Sequence, residues 1–158
     1  MNIYGYCRIS TAKQSIDRQI RNIKAEYPTA HIVQEAYTGT SIFRPEWLKL
    51  YRVLKAGDMV VFDSVSRMSR NAEEGFALYE DLYHKGIRLV FLKEHHIDTE
   101  TYKKALSGSI AMTGTNVDFI LKGINEYLMA LAKEQIKLAF EQSEKEVADL
   151  HQRTREGL

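Results

Sequence analysis

Short apolar runs alternate with helically spaced apolar positions through the first part of the chain. Asn2-Ile3-Tyr4-Gly5-Tyr6-Cys7 is compact, apolar and aromatic, and predicts a buried strand. A polar turn follows from Arg8 to Gln14. Ile16, Ile20 and Ile23 then recur at helical spacing until Pro28, which belongs just past a helix end. His31-Ile32-Val33-Gln34 predicts a second strand, and Thr38-Gly39-Thr40-Ser41 a loop. Pro45 opens a helix through Trp47, Leu48, Tyr51 and Leu54 that stops before Gly57. Met59-Val60-Val61-Phe62 is a third strand and Ile87 to Leu92 a fourth; between them Phe76, Leu78, Tyr79, Leu82 and Tyr83 mark an amphipathic helix closed by Gly86. Strands alternating with helices predict an α/β fold, a mostly parallel sheet flanked by helices.

The last third follows another pattern. A polar stretch from His95 to Gly114 precedes Asn116, a cap residue for a helix running almost to Arg155. Val117, Leu121, Ile124, Leu128 and Leu131 follow a 4-3-4-3 spacing, continued at Leu138 with the polar Gln135 between. Such a helix extends roughly 55 Å at 1.5 Å per residue, beyond the diameter of a small domain. The predicted organisation is an α/β core over 1–115 and one long C-terminal helix over 116–158. The seam Val117–Leu121–Ile124–Leu128–Leu131 is the expected oligomer interface.

A chain of 158 residues with 44% apolar and 27% charged residues can form one globular domain with its own core. No apolar run approaches the ~20 residues of a membrane span, so no membrane role is expected. The single cysteine, Cys7, excludes an internal disulfide framework and fits a reducing, cytoplasmic setting. The net charge of +1 says nothing about partners. Its distribution says more: residues 1–70 carry eleven Lys/Arg against six Asp/Glu, and residues 71–158 eleven against fifteen. That asymmetry fits an anionic ligand held by the first half, or a merely solvated basic surface.

Ligands of parallel α/β sheets bind at the carboxyl ends of strands. Two polar segments leave strands there, Arg8-Ile9-Ser10-Thr11-Ala12-Lys13-Gln14 and Asp63-Ser64-Val65-Ser66-Arg67-Met68-Ser69-Arg70. Guanidinium forks match phosphate oxygens, and a serine among them can attack phosphorus while arginines stabilise the charge that develops. The plainer alternative makes Ser10 a helix cap and the arginines surface ion pairs. Cys7 reads as a core residue. His95-His96 lacks a supporting ligand set, and no metal site is expected.

The spelling of these segments resembles a known family. Tyr6-Cys7-Arg8-Ile9-Ser10, then Gln14 and Asp17-Arg18-Gln19, resembles the opening signature of the serine recombinases, the resolvase/invertase family. Gly57-Asp58, an apolar strand and Ser66-Arg67-Met68-Ser69-Arg70 resemble its second motif, and Arg153-Thr154-Arg155-Glu156-Gly157 the end of its oligomerisation helix. The long stretch from Ile97 to Asn116 is closer to the large, transposon- or phage-encoded branch.

The resemblance implies a mixed, mostly parallel resolvase-like catalytic domain acting in site-specific DNA recombination. Ser10 would attack a DNA phosphodiester and leave a covalent 5′-phosphoserine, reversed by a 3′ hydroxyl, with neither metal nor ATP. Arg8, Arg67 and Arg70 would grip the scissile phosphate. Tyr6, Gln14, Gln19, Arg44 and Asp58 would support the site. The partners implied are DNA and a second copy of the chain, with tetramers at synapsis and a nucleoid association when DNA is bound. The family's DNA-binding region would lie beyond Leu158, absent from this chain. Val117 to Leu131 would pack partly on the sheet domain and partly on the partner's helix. Beyond Gln135 the thinning apolar positions Ile136, Leu138, Phe140, Val147 and Leu150 would lie along DNA or order only in the full complex. Small resolvases carry aspartate where this chain has Ser66, which leaves the group that activates Ser10 open.

Overall fold

A computed structural model of the chain describes residues 1–9, 16–36, 44–107 and 111–155, the stretch 146–155 by its backbone alone. Four strands, β1 (Ile3–Arg8), β2 (His31–Glu35), β3 (Met59–Phe62) and β4 (Arg88–Phe91), form one sheet in the order β2-β1-β3-β4. Every pairing is parallel, with Tyr6 opposite both Val33 and Phe62. The expected mostly parallel α/β sheet is therefore present. The antiparallel member that a mixed sheet would need is absent among the described residues.

Side chains alternate across the pleat and sort the sheet into two apolar faces. Tyr6, Val60, Phe62, Leu89 and Phe91 share one cluster with Trp47, Leu50, Tyr79, Leu82 and Phe140. Cys7, Met59, Val61 and Val90 share the other with Ile23. Among the described helices only α1 (Asp17–Glu26) covers this second face. The first face carries α2 (Pro45–Val53), the four-residue α3 (Val65–Met68) and α4 (Ala72–His84). Gly86 closes α4 as expected, in the left-handed conformation at φ +81°.

The polar stretch after β4 holds structure that its composition concealed. A 3-10 turn at His95–Ile97 leads into α5 (Thr99–Ser107), anchored by buried Ile97 and Tyr102. The segment also blunts the sheet edge. Asp98 Oδ1 accepts the Phe91 N–H at 2.7 Å, and Thr99 Oγ1 accepts that of Leu89 at 2.9 Å.

The long helix α6 (Asp118–Arg155) spans 38 residues. Its start is tied down by Asp118, which accepts from the N–H groups of Thr113 and Gly114, rather than by the expected Asn116. Its packing inverts the sequence expectation. Ile136, Ala139, Phe140 and Ser143 are buried against the domain, so Ile136 and Phe140, expected along DNA or ordered late, belong to the core; Leu138 is exposed, and the side chains of Val147 and Leu150 lie outside the described residues. The Val117–Leu131 portion is the part that stands clear: Phe119 is 92% exposed, Ile120 65% and Tyr127 66%. Periodicity located a seam but not the place where the helix docks.

Gly75 decides the docking. A Cβ there would lie 2.5 Å from two ring carbons of Phe140, so the absence of a side chain lets α6 approach α4. Gly75→Ala is expected to destabilise the fold by about 1–3 kcal/mol, despite alanine's better helix propensity, because the ring has to move out of the core. Urea unfolding measures this; a midpoint equal to or above wild type would show that the contact is slack.

Candidate active site

β1 enters the sheet between β2 and β3, and the chain leaves it in opposite lateral directions, which makes the carboxyl ends of β1 and β3 a topological switch point. Arg8 ends β1, and Asp63 to Arg70 follow β3. The two segments interlock through their backbones. Buried Arg8 donates from Nη2 to the Ser66 carbonyl at 2.8 Å and from Nε to the Arg67 carbonyl at 3.3 Å. Arg67 answers from Nη1 to the Arg8 carbonyl at 3.1 Å. Arg44, just before α2, donates from Nη1 to the Met68 carbonyl. Three consecutive carbonyls of one short turn thus fasten two arginines.

Positive charge outweighs negative in the cluster, with Asp63 partly offsetting it at Arg67. Among the described residues Arg8, Arg67 and Arg70 form no ion pair with a carboxylate. Arg67 Nε is buried with no hydrogen-bond acceptor among the described residues. Burial lowers the Arg8 guanidinium to about 10, with repulsion from Arg44, Arg70 and Arg67 contributing. Burial likewise lowers Arg67, and burial plus repulsion from Arg67 and Arg44 lowers Arg70. All stay charged at neutral pH, so a phosphate-like anion would relieve the repulsion and meet the unused donor.

Supporting residues divide by position. Gln19 brackets the end of β1: its Oε1 accepts the Arg8 N–H at 3.1 Å and its Nε2 donates to the Arg8 carbonyl at 2.8 Å. Tyr6 donates to Glu35 Oε2 at 3.0 Å. Burial pushes its phenol well above the ordinary value against the opposing pull of Arg44, so it remains a neutral donor. Ser10 and Gln14 lie outside the described residues. Asp58 does not join the group. It sits just before β3, at the opposite edge of the sheet, accepting from the N–H groups of Asn2 and Lys55 at 3.0 Å each.

Two buried carboxylates flank the cluster, and of these only Glu35 escapes sequence reading. Buried Glu35 receives Tyr6 and the N–H groups of Glu46 and Trp47 at 3.3 and 2.9 Å, joining β1, β2 and the start of α2 beside Arg44. Ending the second strand at Gln34 left it one residue outside the element that buries it. Asp63 is buried, bonded to Asn22 at 2.9 Å and paired with Lys93 at 3.3 Å. Its carboxylate is thereby engaged away from any proton-transfer role. Ser66 shares a 2.7 Å hydrogen bond with Ser64.

Cys7 is fully buried, and burial, with Asp63 adding to it, pushes its thiol up to about 12, so it is a core residue. His95 is spent on Asp98 at 2.7 Å, and no trio of His, Cys, Asp or Glu among the described residues is placed to hold a metal. No helix among the described residues is long and apolar enough to cross a membrane.

The fold is a parallel α/β domain with a cluster of backbone-fastened arginines at its switch point and a long C-terminal helix. Residues 3–146 match the family described as the resolvase N-terminal domain, and the chain belongs to that family, the catalytic domain of the serine recombinases. It is 26% identical over 159 residues to the transposon Tn21 resolvase of Escherichia coli, covering 97% of this chain and 83% of that protein. It is 31% identical over 99 residues to a resolvase of Clostridium perfringens (strain 13 / Type A), covering 61% of this chain and 52% of that protein, about half its length. Among solved structures, a resolvase family site-specific recombinase from Streptococcus pneumoniae matches with a TM-score of 0.49 and 19% identity, covering 98% of this chain and 99% of the other.

Proposed function

We propose that this chain is the catalytic domain of a site-specific DNA recombinase in which Ser10 is the nucleophile. The supporting observation is the set of backbone-fastened guanidiniums at the end of β1, with Arg67 Nε buried and without an acceptor among the described residues. Ser10 follows Arg8 by two residues in the chain. In the forward step Ser10 Oγ forms a bond to phosphorus, the bond to the 3′ oxygen breaks, and that oxygen leaves protonated as a 3′ hydroxyl. Arg8, Arg67 and Arg70 hold the non-bridging oxygens as charge builds on them. A 3′ hydroxyl of the exchanged strand then attacks the same phosphorus and releases Ser10. One phosphodiester replaces another, so the cycle consumes no nucleotide cofactor.

Arg44, Tyr6 and Gln19 keep the phosphate-gripping arginines in place, and Gln14 orients the nucleophile. Contacts of this kind grip the DNA backbone and carry little sequence information of their own. A nicked suicide duplex bearing the recombination site tests the reaction class in the full-length protein. Cleavage should accumulate an SDS-stable protein–DNA adduct, in EDTA and without ATP. Free ends with no adduct would mean that water completes the reaction, as in a nuclease.

The exposed apolar flank of α6 supports a two-fold dimer through the Val117–Leu131 portion. Val117, Ile124 and Leu131 are exposed and Leu121 and Leu128 half-buried, a stripe that monomers rarely leave in water. The double substitution Ile124→Glu with Leu128→Glu is expected to give a monomer without loss of fold, because it spares the Ile136–Phe140 contact. Sedimentation of both proteins at high micromolar concentration decides it. A monomeric wild type refutes the dimer, and a dimeric double variant moves the interface elsewhere.

A further inference from the structure

The turn that fastens the arginines is itself held from outside. Helix starts leave backbone N–H groups without partners, and a side-chain acceptor normally takes one. Ser64 occupies the N-cap of α3 but makes no capping bond, since its hydroxyl is engaged with Ser66. The acceptor comes from the turn after β4: Glu94 Oε2 takes the Val65 N–H at 3.0 Å. Glu94 reaches that position because the ends of β3 and β4 are stitched together. Leu92 N–H donates to the Phe62 carbonyl at 3.0 Å and Lys93 N–H to the Asp63 carbonyl at 3.2 Å, and the turn closes from Glu94 N–H to the Phe91 carbonyl at 3.1 Å.

What α3 carries gives this cap its consequence. At its other end the carbonyls of Ser66 and Arg67 receive Arg8, and that of Met68 receives Arg44. A four-residue helix has almost no stability of its own, so its orientation depends on what ties it. Glu94 ties its first N–H, and the Arg67 bond to the Arg8 carbonyl ties its far side.

We propose that Glu94 is a positioning residue of the strand-cleavage site: by accepting the Val65 N–H it sets the α3 turn whose carbonyls aim Arg8 and Arg44. The inference rests on reading the arginine cluster as the scissile-phosphate grip. Glu94 touches neither phosphate nor nucleophile in this scheme. Its effect passes through the hydrogen bond rather than through its charge, because so short a helix has little dipole for a carboxylate to complement.

Two substitutions separate bond from charge. Glu94→Gln keeps an amide oxygen to accept the Val65 N–H and removes the charge, whereas Glu94→Ala removes both. Single-turnover adduct formation on a suicide duplex at saturating DNA gives the rate; DNA affinity and the thermal unfolding midpoint are measured beside it. Glu94→Ala is expected to slow adduct formation about tenfold to a hundredfold with DNA affinity almost unchanged, and Glu94→Gln to recover the rate to within about threefold of wild type. Wild-type rates in Glu94→Ala overturn the proposal. So does a Glu94→Gln protein, folded by its thermal midpoint, that is as slow as the alanine variant, or a defect confined to DNA affinity. A wild-type protein that forms no adduct contradicts the recombinase reading as well, so the two failures are distinguishable.

Discussion

Ser10→Ala is expected to abolish covalent adduct formation and strand cleavage while leaving the fold intact. The serine oxygen is the one atom that forms the bond to phosphorus, and alanine offers no substitute. A serine hydroxymethyl group carries little apolar surface to bury, so a thermal midpoint close to wild type is expected beside a rate below detection. DNA binding should persist, because the arginines that attract phosphate are untouched. Normal cleavage in the alanine variant, followed in the same suicide-substrate assay, would remove Ser10 from the chemistry.

Arg67→Lys is expected to be almost as damaging although it conserves charge. Arg67 uses its fork in two directions, Nη1 holding the Arg8 carbonyl at 3.1 Å while Nε stays buried without an acceptor among the described residues. A lysine has one nitrogen and cannot brace the end of β1 and offer an oriented donor to a phosphoryl oxygen together. Loss of one such donor typically costs about 3–4 kcal/mol in the transition state, or ~10²–10³ in rate. Arg70→Lys should fall in the same range for the phosphate contact alone, without loosening Arg8. Single-turnover cleavage at saturating DNA measures both. Rates near wild type would reduce the arginines to a general electrostatic attraction.

The sheet was readable from the chain because its strands are short apolar runs with marked ends. Met59–Phe62 was placed to the residue, and the helices after Pro45 and before Gly86 stand where their punctuation put them. The arginines of the cluster were found because they leave strand ends, where a parallel sheet gathers distant segments. Asp58, which only the resemblance assigns to the site, lies away from it, since a residue preceding a parallel strand sits at the amino edge. Four residues of β3 at ~3.3 Å each put about 13 Å between that edge and the site. Helix α5 was missed because Ile97 and Tyr102 lie among lysines, histidines and acidic residues with no regular apolar stripe.

The long helix marks another boundary of sequence reading. Its extent was evident from unbroken helix-forming residues, yet the spacing of Val117 to Leu131 said nothing about which portion meets the domain. The deciding feature is a pair distant in sequence, Gly75 and Phe140, which periodicity within one element cannot reveal. Glu35 and Glu94 are of the same kind. Each is one carboxylate among many until tertiary structure brings backbone N–H groups to it.

Ser10 is expected to become covalently joined to a DNA 5′ end. Trapping the adduct on a suicide duplex, digesting it with protease and nuclease, and sequencing the nucleotide-bearing peptide by mass spectrometry tests it most directly. The expected product is a nucleoside 5′-phosphate ester on Ser10, with a free 3′ hydroxyl on the released strand. A 3′-phosphoryl linkage, an ester on a tyrosine, or cleaved DNA with no protein attached would contradict it.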